Sequence, residues 1–272
     1  MDWNHQVKSA STSLKTARRL HVYLVPLTIS LALVAWMTVT SLWDLPAFIL
    51  PSLGQVWIRF VKALADGSLL SHALVTLEEV LIGLVAGVVA ATALGYLLAK
   101  SPTFERILAP YVVASQSVPV VAIAPLLVIW FGSGMISKVL ICSLIVFFPV
   151  LVNTIVGLRS VPEELHDLMR SLRATRWQTI RYLEIPAALP VFLGGLRIGA
   201  TLSVIGAVVG EFVGADRGLG FLINVGRGQY DTALVFVAVF TLIFMALSLY
   251  GLVLLVEKRL LKWQQRPDIT NN

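Results

Sequence analysis

The chain has 272 residues, 57% of them apolar and only 13% charged, where soluble domains carry about 25% charged residues. That deficit excludes an ordinary soluble domain and points to a membrane protein. The net charge of +6 is dispersed over loops, so it reads as a topology signal rather than a nucleic-acid patch, and the single Cys142, in an apolar run, excludes a disulfide framework.

Residues 1–20 are polar and basic (Lys8, Lys15, Arg18, Arg19) and are expected to be a cytoplasmic segment. The apolar run 21–42 is long enough to span a bilayer and lacks a clear small-residue cleavage site, so it reads as a first transmembrane helix rather than a signal peptide. Residues 43–70 are punctuated by Pro46 and Pro51. Val56, Trp57, Phe60, Val61 and Leu64 alternate there with Gln55, Arg59 and Lys62, the pattern of an interfacial amphipathic helix. A second span is expected over 73–99, where Gly83, Gly87, Ala91 and Gly95 place small residues on one face for close helix packing. Glu78 and Glu79 fall near its outer end, at the rim or where substrate is admitted.

A third span is expected over 108–131, interrupted by Pro110, Pro119 and Pro125. Interior prolines free backbone carbonyls that lipid cannot satisfy, whereas neighbouring helices or a water-filled path can. Ser115, Gln116 and Ser117 beside Pro119 are therefore candidates for lining a translocation pathway, with interhelix hydrogen bonding as the alternative. A fourth span is expected over 137–158, a fifth over 188–213 and a sixth over 232–256, so that a transmembrane domain of 21–260 ends in a polar tail, 261–272. Glu211 falls at the outer edge of the fifth span. A carboxylate there is costly and is a functional candidate, for a pathway or gate, with an ion pair to Arg217 or Arg227 as the rival reading.

Between the fourth and fifth spans lies a charged stretch, 160–186. Ser160 and Glu163 have the spacing of a capping box with Pro162 in the first turn. Leu165, Leu168, Met169 and Leu172 then recur at helical spacing, and the acids Glu163, Glu164 and Asp167 lead Arg170 and Arg173, as the helix dipole favours. Thr175 is expected to cap a second short helix that stops before Pro186. The apolar stripe requires a surface: lipid, the spans, or a soluble partner. His166 reads as an ordinary surface residue. Six spans with both termini inside put fifteen Lys and Arg on inner segments and five (Arg59, Lys62, Lys138, Arg217, Arg227) on outer ones, which satisfies the positive-inside rule.

This stretch resembles the coupling loop of permease subunits of bacterial ABC importers, E-A-A, three residues, G, nine residues, I-x-L-P. Here Asp167-Leu168-Met169, Arg173 and Leu183-Glu184-Ile185-Pro186 keep every spacing, and Arg173 stands where the pattern has glycine. Three further blocks resemble the same family: LPSLGQVW, SVPVVAIAPLLVIWFGSGMISKV and VIGAVVGEFVGADRGLGFLI. The resemblance implies an all-α, type I importer permease fold and a multi-pass protein of the bacterial inner membrane, not an enzyme. It implies ATPase-coupling residues at Glu163, Glu164, Asp167, Leu168, Met169, Arg170, Arg173, Ala174 and Pro186. It also implies a second permease subunit, as a homodimer, ABC ATPase subunits that carry the ATP and Mg, and an extracytoplasmic binding protein. No cofactor, metal or nucleic acid is expected on this chain, and the P-loop, H-E-x-x-H and G-x-S-x-G patterns are absent from it. Within the family the chain looks most like the nitrate, sulfonate, taurine, thiamine-precursor and riboflavin branch, leaning to a vitamin or vitamin precursor. A membrane-embedded enzyme or a scaffold without transport are the remote alternatives.

Overall fold

A computed structural model describes residues 24, 26–43 and 46–264, and among these every regular element is a helix. The expectations for residues 1–20 and for the end of the tail fall outside the described residues. In chain order the helices are α1 (Pro26–Leu42), α2 (Leu53–Ala65), α3 (Ser68–Lys100), α4 (Pro102–Gln116), α5 (Val120–Phe131), α6 (Met135–Arg159), α7 (Glu163–Ser171), α8 (Arg176–Thr179), α9 (Ile185–Gly214), α10 (Leu219–Gly228) and α11 (Thr232–Leu260). α3, α6, α11 and the continuous run Arg176–Gly214 are long and apolar enough to cross a membrane. The described part of α1 is shorter, and α4 with α5 counts as one crossing only if the pair is a broken span.

α6 lies at the centre, gripped between α3 and α9. Both neighbours offer it glycine. A Cβ on Gly87 of α3 would sit 2.8 Å from the Ser143 carbonyl, and one on Gly206 of α9 would sit 2.7 Å from the Cys142 Cα. Cys142 is accordingly fully buried between two glycine faces, a small core residue rather than a reactive thiol. Close backbone approach of this kind replaces the hydrophobic drive that lipid cannot supply. Gly206→Val must push α9 off α6. We expect it to cost about 1–3 kcal/mol or more, read as a lower melting temperature of the detergent-purified protein.

The third expected span is bent. α4 and α5 meet at 94° around Ser117–Pro119, with Pro119 as the N-cap of α5. Proline supplies no amide there, and the extended conformation of Pro119 (φ −63°, ψ 119°) turns the chain. Pro110 and Pro125, by contrast, are accommodated inside α4 and α5. No residue of α4 is buried.

Two local expectations in the 160–186 stretch are corrected. Ser160 does not cap α7. It ends α6, its amide bonding the Val156 carbonyl and its hydroxyl donating to Gly157 O, and Pro162 starts α7 without a side-chain cap. The second short helix does form, and Thr175 and Gln178 complete a capping box on α8, but it does not stop before Pro186. It runs through a π-helical turn, Ile180–Glu184, straight into α9, where Pro186 falls in the first turn. The wider turn pairs the Ile185 amide with the carbonyl five residues back, Ile180, and proline at the start of a helix needs no donor.

Arg173 has φ 52°, the left-handed conformation that glycine adopts freely. It closes α7 in a Schellman turn: Ala174 N bonds Met169 O at 2.9 Å and Arg173 N bonds Arg170 O at 2.9 Å. The turn thus survives without the glycine of the resembling pattern, at a backbone cost of about 1–2 kcal/mol. Arg173→Gly should relieve that strain and raise the melting temperature without altering the helix boundaries.

Candidate functional site

At one end of the bundle, where α3 and α6 begin and α9 ends, four polar side chains are buried together. Glu79 and Glu211 are each 1% exposed, Lys138 5% and Thr76 fully buried. Lys138 Nζ pairs with Glu79 Oε1 at 3.0 Å, which neutralises both charges away from water. Lys138, assigned by sequence to an outer segment, is therefore an interior residue of the bundle.

Glu211 makes no direct ion pair of this kind, although it lies beside Glu79 and within the field of Lys138. Its hydrogen-bond donors are the hydroxyl of Thr76, which donates to Oε1 at 2.6 Å, and the backbone amide of Gly220, which donates to Oε2. The ion pair with Arg217 or Arg227 is not formed. Instead, three successive amides at the start of α10 are captured by side chains from two other helices. Gly218 N donates to Nδ1 of His72 at 2.9 Å, Leu219 N donates to Oγ1 of Thr76 at 2.8 Å, and Gly220 N donates to Glu211. A helix N-terminus leaves its first amides without intrahelical acceptors and carries a partial positive charge. α10 has no side-chain cap of its own, so the caps come from α3 and α9. The accepting Nδ1 fixes the proton of neutral His72 on Nε2, and the ring stacks on Phe221 with centroids 5.6 Å apart.

The spacing Glu211, six residues, Gly218-Leu219-Gly220 now has a physical reason. Any side chain on Gly218 (φ 114°) or Gly220 would occupy the space of the Glu211 carboxylate. His72 and Thr76, one turn apart on α3, complete the site. Sequence reasoning passed over both, because neither lies near Glu211 in the chain.

At the opposite end, α7 and α8 project beyond the spans. Glu163 and Glu164 occupy the first turn of α7 and are exposed, as are Asp167, Arg170 and Arg173. Asp167 pairs with Arg170 at 2.8 Å within the helix. Leu165, Leu168 and Leu172 are 41%, 53% and 69% exposed, so the apolar stripe is not spent on the spans. Met169, Ala174 and Pro186 are half-buried. The remaining candidates, Ser115, Gln116, Ser117 and Pro119, are all exposed at the α4–α5 corner. The Ser115 hydroxyl donates to Val112 O at 2.8 Å, within its own helix. The structure therefore does not bring this corner together with Glu211. Among the described residues no three His, Cys, Asp or Glu side chains are grouped to hold a metal.

Residues 83–262 match the family described as binding-protein-dependent transport system inner membrane component. The chain belongs to this family: it is a permease component of an ABC importer, a multi-pass protein of the bacterial inner membrane and a transport subunit rather than an enzyme. Its relatives include the riboflavin transport system permease protein RibX of Chloroflexus aurantiacus, 49% identical over 88% of this chain and 90% of that one. The formylaminopyrimidine transport permease protein ThiX of Halalkalibacterium halodurans is 36% identical over 83% and 92%, and the taurine permease TauC of Escherichia coli 34% over 87% and 88%. The fold resembles an inward-facing form of the MetNI methionine ABC transporter, with a TM-score of 0.60 at 20% identity, covering 74% of this chain and 98% of that one.

Proposed function

We propose that this chain is the permease through which a vitamin or vitamin precursor, a flavin or a thiamine-type pyrimidine, enters the cell. The observation that carries the reading is the 49% identity, over nearly the whole of both chains, to a permease named for riboflavin transport. The next relative is named for a formylaminopyrimidine, also a heterocycle. In this reading six spans place both termini in the cytoplasm, two permease copies face each other across the pathway, and a binding protein delivers the solute from outside. The apolar, uncovered faces of α4 and α5, including Ile129 and Trp130 (74% and 67% exposed), support the second copy, because a pathway between two copies would cover them in part.

Two ABC ATPase subunits, which hold the ATP and Mg, dock on α7 and α8. The exposed stripe Leu165–Leu168–Leu172, flanked by Glu163, Glu164, Asp167 and Arg170, suits a soluble protein groove: an apolar anchor inside a charged rim. ATP binding closes the ATPase pair, moves the two coupling helices and opens the permease outward, and hydrolysis resets it.

The test is uptake in a riboflavin-auxotrophic host carrying this chain with a partner ABC ATPase and binding protein. Saturable, ATP-dependent uptake of labelled riboflavin, undiminished by excess taurine, is the expected result. Uptake of taurine or another sulfonate in its place would transfer the assignment to the anion-carrying side of the family.

A further inference from the structure

We propose that His166 is the positioning residue that ties the coupling helix to the spans, through the buried carboxylate of Glu184. The proposal rests on the reading of α7 as the ATPase-docking helix and names how its movement reaches the bundle.

Three observations carry it. First, the apolar stripe of α7 is exposed, so packing of that stripe does not fasten the helix to the bundle. Second, the ring of His166 lies between two oxygens: Nδ1 is 3.4 Å from the Pro162 carbonyl and Nε2 is 3.6 Å from Glu184 Oε1. The side chain of His166 is 24% exposed, far less than that of its helix neighbour Asp167 at 64%. Third, Glu184 is a junction. Its side chain is 5% exposed and its Oε1 receives Lys100 Nζ from the last residue of α3 at 2.6 Å. It closes the π-helical turn from which α9 starts. A π turn inserts one extra residue into a helix and often marks a functional position. His166, Glu184 and Lys100 thus join α7, the head of α9 and the foot of α3 in one polar contact around the buried Glu184 carboxylate, with Lys100 at its exposed edge. A displacement of α7 pulls on both spans at once. Neither His166 nor Glu184 occupies a specified position of the E-A-A…G…I-x-L-P pattern.

The experiment is hydrogen–deuterium exchange on the complex of this chain with its co-purified ATPase in nanodiscs, with and without trapping by ATP and vanadate. In the wild-type complex trapping should change exchange in both 163–171 and 180–185. In His166→Ala the ATPase should stay bound and the change over 163–171 persist, while the response of 180–185 falls about fivefold, the lower end of common coupling energies. His166→Gln, whose amide nitrogen falls near Nε2, should restore the response, and His166→Asn, whose amide falls near Nδ1, should not. A response over 180–185 in His166→Ala equal to wild type overturns the proposal. So does loss of the ATPase in His166→Ala, which would make His166 a docking residue. A wild-type chain that retains no ATPase removes the docking reading itself, a different failure.

Discussion

Glu211→Ala is expected to unlatch α10 and lower the stability of the purified permease by about 2–4 kcal/mol. For a protein of this size that corresponds to a fall in melting temperature of roughly 5–15 °C. The substitution strips the Gly220 amide of its acceptor and leaves the Thr76 hydroxyl without the carboxylate, both inside a buried cluster. Glu211→Gln separates the two functions of the side chain. Its amide oxygen can still accept from Gly220 and its amide nitrogen can donate to Thr76, so the capture of α10 survives while the charge is lost. Protein level and melting temperature should therefore stay near wild type in Glu211→Gln. Transport should change if the charge itself serves the pathway or gate, and unchanged uptake would leave Glu211 as a latch alone. Thr76→Val, which removes the acceptor for the Leu219 amide without changing volume, should reproduce part of the Glu211→Ala loss. Hydrogen exchange at 218–220 checks all three variants: the amides should lose protection in Glu211→Ala and Thr76→Val and keep it in Glu211→Gln.

Leu168→Arg should weaken the ATPase complex about 30-fold or more while the bundle stays inserted and folded. Leu168 is 53% exposed on α7 and central in the apolar stripe, so the bundle does not need it, whereas a docking groove that accepts an apolar anchor would have to bury an arginine. The measurement is the ATPase-to-permease ratio after affinity purification through the permease, compared with the melting temperature of the permease alone. A stoichiometric complex in Leu168→Arg would show that the stripe is not the anchor. The Arg170 side chain beside it, already paired with Asp167 and largely exposed, should matter less when truncated, because an exposed pair contributes little.

Much of this was legible in the chain itself. Low charge content and long apolar runs specify a helical membrane protein, because lipid satisfies no backbone polar group and a helix satisfies nearly all of its own. The four-residue spacing of Gly83, Gly87, Ala91 and Gly95 announced a packed face, since helical period alone puts them on one side. The apolar stripe of α7 was legible for the same reason, and its charges told which end was which.

What the sequence did not reveal were partnerships between residues far apart in the chain. Glu211 was marked as costly, but its partners Thr76 and Gly220 lie 135 and 9 residues away, and only the packing of α3 against α9 brings the first of them close. Lys138 looked like an outer-loop charge until the start of α6 met Glu79. His166 looked like a surface residue because its partner, Glu184, lies outside its own helix, in a π turn that no local preference announces. Helical period and hydropathy are properties of neighbours along the chain, so the sequence by itself determined the all-helical membrane class, the packed face of α3, the apolar stripe of α7 and the family, but not where every helix bends or ends. Which buried charge meets which donor is a property of how α3, α6 and α9 cross, and that was decided only when glycine let their backbones touch.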